Sequence, residues 1–280
     1  MQVSGAVAVV TGAGSGIGRA TALELAKRGA DVVVTDVVGD RLAPVVAEIE
    51  ALGRRAEAHT FDVSDRQGWE EVHRSVLDSF GRASVLVNNA GVALTGPFVE
   101  CSPDDLDWQI RVNLYGVMHG CHVFLPTLLA QPAAHIVNIS SLFGLISVPD
   151  SAAYCMSKHA VKALSECLMV ELPRHVRLTS VHPGAVATRI TRDGRYRPGA
   201  GMSERGTHKI IDNGVSPAFA ARLVVDGIEH QRERVIVGTD AKLLATLRWL
   251  LPIRHRSLLR MWRERRDRRR VARASATARA

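Results

Sequence analysis

No run of apolar residues in this chain approaches the roughly 18 needed to cross a bilayer. Its first residues hold no basic segment followed by an apolar core, so neither a membrane span nor a secretory leader is expected. Cysteine is scarce: Cys101, Cys121, Cys155 and Cys167 are the only four, and no two have CxxC spacing. That pattern offers neither a disulfide framework nor a zinc site, so no metal is expected and a reducing cytoplasm fits best. There is no internal repeat, and no low-complexity segment before the arginine-rich end. Acidic residues become rare in that end, where residues 254–280 hold eleven arginines against Glu264 and Asp267. The formal charge of +8 therefore divides into +9 there and −1 over residues 1–253.

What is present suits one large core. With 280 residues, 46% of them hydrophobic, the chain is read as a single α/β domain rather than two small ones. Short β-branched runs at Ala6–Val10, Val32–Thr35, Ala56–Phe61, Val85–Asn88, Ile136–Ile139, Arg177–Val181 and Val235–Val237 alternate with segments of helical period. The helical segments fall at about 17–29, 40–52, 65–80, 103–130, 152–171 and 216–231, with Asp65, Ser102 and Ser216 placed as N-caps. This alternation predicts a parallel sheet covered by helices on both faces. Two regions break the rhythm. Thr188–Gly214 shows no clear period and reads as a long loop or lid, and from Asp240 onward the chain is apolar and basic together.

The stretch TGAGSGIG at 11–18 closes the first strand and opens the first helix. Glycines at 12, 14, 16 and 18 allow a tight turn and close approach to a pyrophosphate, while Ser15, Gly16 and Ile17 stand where a helix N-terminus offers free N–H groups. As a bare turn the motif would be weak, but its position between strand and helix is the one a dinucleotide site requires. Asp36, at the end of the second strand, can accept hydrogen bonds from ribose hydroxyls and would repel a 2′-phosphate. No basic residue stands in the loop and Val37 follows Asp36, so no cation awaits that phosphate and NAD is favoured over NADP.

TGAGSGIG at 11–18, Asp62-Val63, NNAG at 88–91, Asn113, Ser141, the Tyr154/Lys158 pair, and Pro183-Gly184 followed by Thr188 occur in the order found in short-chain dehydrogenases/reductases, and the chain resembles that family over residues 11–188. The strand–helix alternation carries the likeness to about residue 238, giving a dehydrogenase domain over 1–238, with the lid at about 188–214, and an extension over 239–280. The resemblance implies a Rossmann-like, doubly wound α/β fold with a seven-stranded parallel sheet in the order 3-2-1-4-5-6-7. It implies that Asp62 and Val63 contact the adenine, that Asn89, Ala90 and Gly91 shape the cofactor cleft, and that Thr188 holds the nicotinamide carboxamide. It also implies a homotetramer or homodimer built partly through the helices at 103–130 and 152–171.

Tyr154 and Lys158 are four apart, so on a helix they share a face and can point into one cleft. A nearby ammonium would lower the tyrosine pKa from about 10, making Tyr154 a general base in alcohol oxidation and a proton donor in ketone reduction. Ser141 would hydrogen-bond the substrate oxygen as charge shifts onto it; Ser140 competes for that role, but the family spacing and strand alternation favour Ser141. Lys158 would also bond the nicotinamide ribose, and the resemblance gives Asn113 a water linking Lys158 to solvent. His182 could suggest a hydrolytic triad, yet no nucleophile accompanies it. The expected activity is NAD-linked interconversion of a secondary alcohol and a ketone, on a moderately apolar substrate. An NADP-dependent carbonyl reductase and a non-catalytic dinucleotide-binding scaffold are the alternatives.

Arg189, Arg192, Arg195, Arg197, Arg205 and Lys209 against Asp193 and Glu204 make the lid basic. They read as solvated loop charges or as an attraction for an anionic substrate such as an acyl-thioester. In the extension, Leu243, Leu247, Leu250 and Leu251 recur at helical spacing, Pro252 interrupts, and Leu258, Leu259 and Trp262 resume beside many arginines. Two readings stay open: a helix lying on an anionic bilayer, with peripheral contact through 240–273, or one packed over the substrate pocket or a neighbouring subunit. Charge alone would allow nucleic acid, but no recognition fold or aromatic platform accompanies it.

Overall fold

The computed structural model describes residues 1–251 together with Ser257, Arg260, Met261 and Glu264. In chain order it begins with β1 (Val7–Thr11), α1 (Gly16–Lys27), β2 (Asp31–Asp36), α2 (Leu42–Ala51), β3 (Ala56–Thr60), α3 (Arg66–Phe80) and β4 (Val85–Asn88). The middle comprises β5 (Leu94–Thr95), α4 (Pro103–Ile110), α5 (Gly116–Leu129), β6 (Ala134–Ile139), α6 (Ala152–Glu171) and β7 (Val176–Pro183). Last come β8 (Arg195–Tyr196), α7 (Glu204–Asp212), α8 (Pro217–Glu229), β9 (Arg234–Val237) and α9 (Thr239–Leu250). The main sheet runs β3-β2-β1-β4-β6-β7-β9, every pair parallel. With β5 and β8 set aside as a separate two-stranded pair, this is the expected order 3-2-1-4-5-6-7.

Helices on both faces explain why the central strands read as unbroken β-branched runs rather than alternating ones. β1, β4 and β6 are buried at every position, whereas β3, at the sheet edge, is not. One core packs α1, α2 and α8 against residues such as Val10, Val32 and Val87, and the other packs α3, α5 and α6 around Trp69, Phe124 and Ile136. Asp65, Ser102 and Ser216 do cap their helices through side-chain oxygens.

Two expectations need correction. The helix read across 103–130 is broken by a π-helical turn, Arg111–Tyr115, between α4 and α5. The turn buries Asn113, whose amide bonds Val92 on one side and Ser157 on the other, and apolar spacing cannot reveal such a widened turn. The lid is not a structureless loop. It contains β8, paired with β5, and the nine-residue α7, which buries no residue fully and has only Ile210 and Ile211 to mark its apolar side, too few to set a period in the sequence. The extension begins as α9, with Ala241 packed on Leu142 and Ile146, while the Pro252, Leu258, Leu259 and Trp262 readings lie outside the described residues.

Candidate active site

At the carboxyl end of β1 the chain turns through Gly12, where φ is +62°, and enters α1. A Cβ on Gly12 would sit 2.9 Å from the Ala90 Cα, and one on Gly18 only 2.2 Å from the Gly12 carbonyl oxygen, so the glycines let α1 and the Asn89–Gly91 turn close on the first turn. That closure is fastened by polar contacts. Thr11 Oγ1 accepts from the Asn89 and Ala90 N–H groups, both at 3.0 Å, and Asn89 Nδ2 donates to the Thr11 carbonyl at 2.8 Å. Ser15, the residue before α1, makes no side-chain cap, so the first-turn N–H groups of Gly16 and Ile17 are left to the cleft they line.

The acid at the end of β2 is held by backbone. Asp36 Oδ2 accepts from the Gly14 N–H and Oδ1 from the Val38 N–H, both at 3.0 Å. Sequence reasoning missed its neighbour: Arg41 lines the same part of the cleft, and a Cβ on Gly14 would lie within 2.9 Å of both the Arg41 Cβ and the Asp36 carboxylate. The expectation that no cation stands near Asp36 is therefore wrong, because the turn leading into α2 brings Arg41 back beside it. Its guanidinium pairs with Asp193 of the lid at 3.2 Å.

The polar centre lies under the start of α6. Tyr154 is half-buried in the cleft wall, and desolvation pushes its phenol up to about 12, a rise that its hydrogen bond with Ser141 only partly offsets. Lys158 is fully buried, which pushes its ammonium down to about 8. Its Nζ donates to the Ile139 carbonyl at 2.9 Å and sits 5.9 Å from the Tyr154 ring centroid. The expected lowering of the Tyr154 pKa by Lys158 is thus not found, because desolvation dominates while the ammonium is turned onto a backbone carbonyl. The two serines are distinguished by their bonds. Ser140 Oγ is spent on the Lys158 carbonyl at 2.8 Å, whereas Ser141 Oγ, facing Tyr154, accepts from the Phe143 N–H at 3.0 Å. Beneath them His182 Nδ1 donates to the Ser141 carbonyl at 3.1 Å. Burial pushes this imidazole down to about 4, so it is neutral and structural.

All these features open onto one cleft of about 1000 Å³. It is lined by Gly12, Ser15, Gly16, Ile17, Asp36, Asp62, Val63, Asn89, Ala90, Gly91, Ser141, Tyr154, Lys158, Pro183, Gly184 and Thr188. The two sequence-derived candidates outside the lining are Gly18, which packs α1 on the glycine turn, and Asn113, buried behind Gly91. A Cβ on Gly91 would meet Asn113 Oδ1 at 3.2 Å and Lys158 Nζ at 3.4 Å, so this glycine marks where those two side chains converge. Walls that sequence did not identify are mostly apolar: Leu94, Trp108, Phe143, Met202, Ile210 and Leu244. The residues present fit a dinucleotide: an uncapped helix start, a turn with no room for Cβ atoms, and a strand-end carboxylate at the cleft.

Part of the lid is pinned by a buried carboxylate, while Arg189, Arg192, Arg205 and Lys209 stay exposed. Asp105, fully buried on α4, takes salt bridges from Arg195 at 3.3 Å and from Arg197, and these hold its carboxyl well below the usual range. Arg195 also stacks on Trp108 at 4.0 Å. Ser102 and Asp105 form a reciprocal capping box, the one sequence signal that could have drawn attention to Asp105.

Comparison with known proteins agrees with this geometry. The short chain dehydrogenase family matches residues 6–197. SadH of Mycobacterium tuberculosis, whose name calls it an oxidoreductase, is 39% identical over 249 residues, spanning 87% of this chain and 90% of its own. A short-chain dehydrogenase/reductase from Burkholderia phymatum in complex with NAD superposes with a TM-score of 0.84 at 34% identity, over 90% of this chain and 95% of the other. An alcohol dehydrogenase from Thermococcus sibiricus complexed with 5-hydroxy-NADP gives 0.73 at 28% identity, over 83% and 95%. The chain belongs to the short-chain dehydrogenase/reductase family, oxidoreductases built on a nicotinamide-dinucleotide-binding, Rossmann-like fold.

Proposed function

We propose that the protein interconverts a secondary alcohol and a ketone with NAD(H), using Tyr154 as general acid and base. The observation that carries this reading is the meeting of Tyr154, Ser141 and Lys158 in the same cleft as the glycine turn and Asp36. NAD would be held by Gly12, Ser15, Gly16, Ile17, Asp36, Asp62, Val63, Asn89, Ala90, Gly91, Pro183, Gly184 and Thr188, and when bound it supplies the hydride acceptor or donor and, oxidised, a positive charge. With its phenol pushed up to about 12, Tyr154 holds its proton at neutral pH and is set to donate it to a substrate carbonyl oxygen. In oxidation it must first release that proton, which a Lys158 ammonium turned from the Ile139 carbonyl toward the phenol would favour. Ser141 Oγ, beside the phenol, is placed to hydrogen-bond the same substrate oxygen, with His182 fixing its backbone. Asn113 holds the Val92 backbone behind Lys158 and would steady the water proposed there.

NAD preference follows from Asp36, but Arg41 beside it favours a second reading, an NADP-linked carbonyl reductase, in which Arg41 leaves Asp193 for a 2′-phosphate. A homo-oligomer is supported by exposed Tyr115, Met118, Leu129, Met156 and Val170 along the 103–130 and 152–171 helices. Peripheral contact with an anionic membrane through 240–273 is supported by the exposed Leu243, Trp249 and Leu250 of α9. No helix among the described residues is long and apolar enough to cross a membrane. Four free thiols accord with a reducing cytoplasm.

The test is reduced-nicotinamide absorbance with NAD(H) and NADP(H) across hydroxysteroids, hydroxyacyl-thioesters and simple secondary alcohols. Tyr154→Phe should lower turnover by at least about 10³-fold with cofactor affinity retained. Tight NAD binding without turnover on any compound would replace this reading with a non-catalytic scaffold, and preference for NADP would overturn the Asp36 argument.

A further inference from the structure

The ion pairs of the lid leave a remainder. Arg189 and Arg41 share Asp193, Arg192 takes Asp212 at 2.8 Å, and Arg195 and Arg197 share Asp105. Arg205 and Lys209 have no carboxylate partner among the described residues. They stand four apart on α7, hence on one face of the helix, where like charges repel unless an anion lies between them. That face opens onto a second depression, of about 710 Å³, lined by Arg192, Ser203, Arg205, His208, Lys209 and Asn213 together with Asp212. Asp212 is already taken by Arg192, and Glu204, exposed at the start of α7, lies 4.0 Å from His208. Positive charge therefore exceeds negative there, and the neighbouring polar groups are already fixed: Ser203 Oγ accepts from the Gly206 N–H, while His208 Nε2 and Asn213 Nδ2 bond the Thr191 and Lys209 carbonyls, which leaves the two cations to meet an anion.

The opposite side of the same helix faces the active-site cleft, through Thr207, Ile210 and Ile211. One helix, about 10 Å across, thus separates an apolar reaction chamber from a cationic depression. The chamber itself is ill suited to an anionic substrate group. Asp150 and Asp240 line it, and its arginines, Arg41 and Arg189, are committed to Asp193.

We propose that the depression on the outer face of α7 binds a phosphate group carried by the substrate, whose apolar, reactive end reaches past the helix into the cleft. The proposal deepens the dehydrogenase reading and rests on it for the second half only. The phosphate could belong to a soluble thioester carrier or to a lipid headgroup at a bilayer surface, and the chemistry of recognition is the same.

The experiment uses the full chain and its Arg205→Glu/Lys209→Glu variant, both saturated with NAD so that the dinucleotide site is filled. Coenzyme A binding is measured by calorimetry, and sedimentation is measured with phosphatidylglycerol and phosphatidylcholine vesicles. KM is compared, with NADH in place of NAD as the hydride donor, for 3-oxobutanoyl-coenzyme A and the same acyl group on N-acetylcysteamine, which lacks phosphate. Charge reversal should weaken coenzyme A binding and raise the KM of its thioester at least about tenfold, while the N-acetylcysteamine KM stays put. Loss of phosphatidylglycerol sedimentation with coenzyme A binding unchanged would keep the site and assign the phosphate to lipid. Failure of both thioesters to turn over, with coenzyme A binding still lost in the variant, would keep the site and remove the activity. Coenzyme A and vesicle binding both indifferent to the two charge reversals would overturn the proposal.

Discussion

On the glycine-turn side of the cleft a single methyl group is enough to disrupt the architecture; on the lid side the vulnerable unit is a charge. A Cβ at Gly18 would fall 2.2 Å from a backbone oxygen, and Thr11, Asn89 and Asp36 are tied to main chain. The lid instead hangs on Asp105 and Asp193, with partly exposed arginines reaching to each. Backbone packing fixes one geometry closely, whereas long charged side chains can exchange partners. The proposed dinucleotide contacts therefore sit where backbone packing fixes the geometry, and the lid is held by replaceable pairs.

The largest effect is expected at the stiff side's buried cation. Below about pH 8 the folded Lys158 is charged, while the unfolded lysine stays charged up to its ordinary 10.5. Between those values the unfolded chain binds more protons, so stability rises with pH, by about 3 kcal/mol in all. Urea unfolding from pH 7.5 to 10.5 should show this rise in the wild type relative to Lys158→Met, and parallel curves would mean that the ammonium is solvated. Next comes Gly18→Ala, which should cost about 1–3 kcal/mol in the same assay and weaken NAD binding, since α1 must back away from the turn. An unchanged midpoint would remove the contrast drawn between the two sides.

The lid side should respond differently. Asp105→Asn should raise substrate KM with NAD affinity kept, because it leaves Arg195 and Arg197 without their anchor, and a matching loss of NAD affinity would show that the lid and cofactor halves are not separable. Arg189→Ala should be the smallest change, leaving the urea midpoint at its wild-type value, since its pair with Asp193 is exposed and Arg41 remains to bind that carboxylate.

These contrasts explain what could be read in advance. β1, β4 and β6 were legible because strands buried on both faces must be apolar throughout, and the glycine turn because few other residues allow such close approach. The Tyr154/Lys158 face followed from helical spacing alone. Arg41, α7 and the Asp105 anchor were not legible. Arg41 belongs to the next element in the sequence and returns to Asp36 only through a turn, α7 buries nothing fully, and Asp105 meets arginines about 90 residues further on.

The sequence by itself determined the parallel α/β architecture and the dinucleotide-type turn, because local spacing and burial period encode them directly, while the proposed reaction centre was legible through the ordered family motifs. Tertiary structure decided the rest: that the phenol keeps its proton, that an arginine stands beside Asp36, and that Arg205 and Lys209 alone among the lid cations go unpaired among the described residues. Each of these depends on desolvation or on charges brought together across long stretches of chain, and neither quantity exists until the chain has folded.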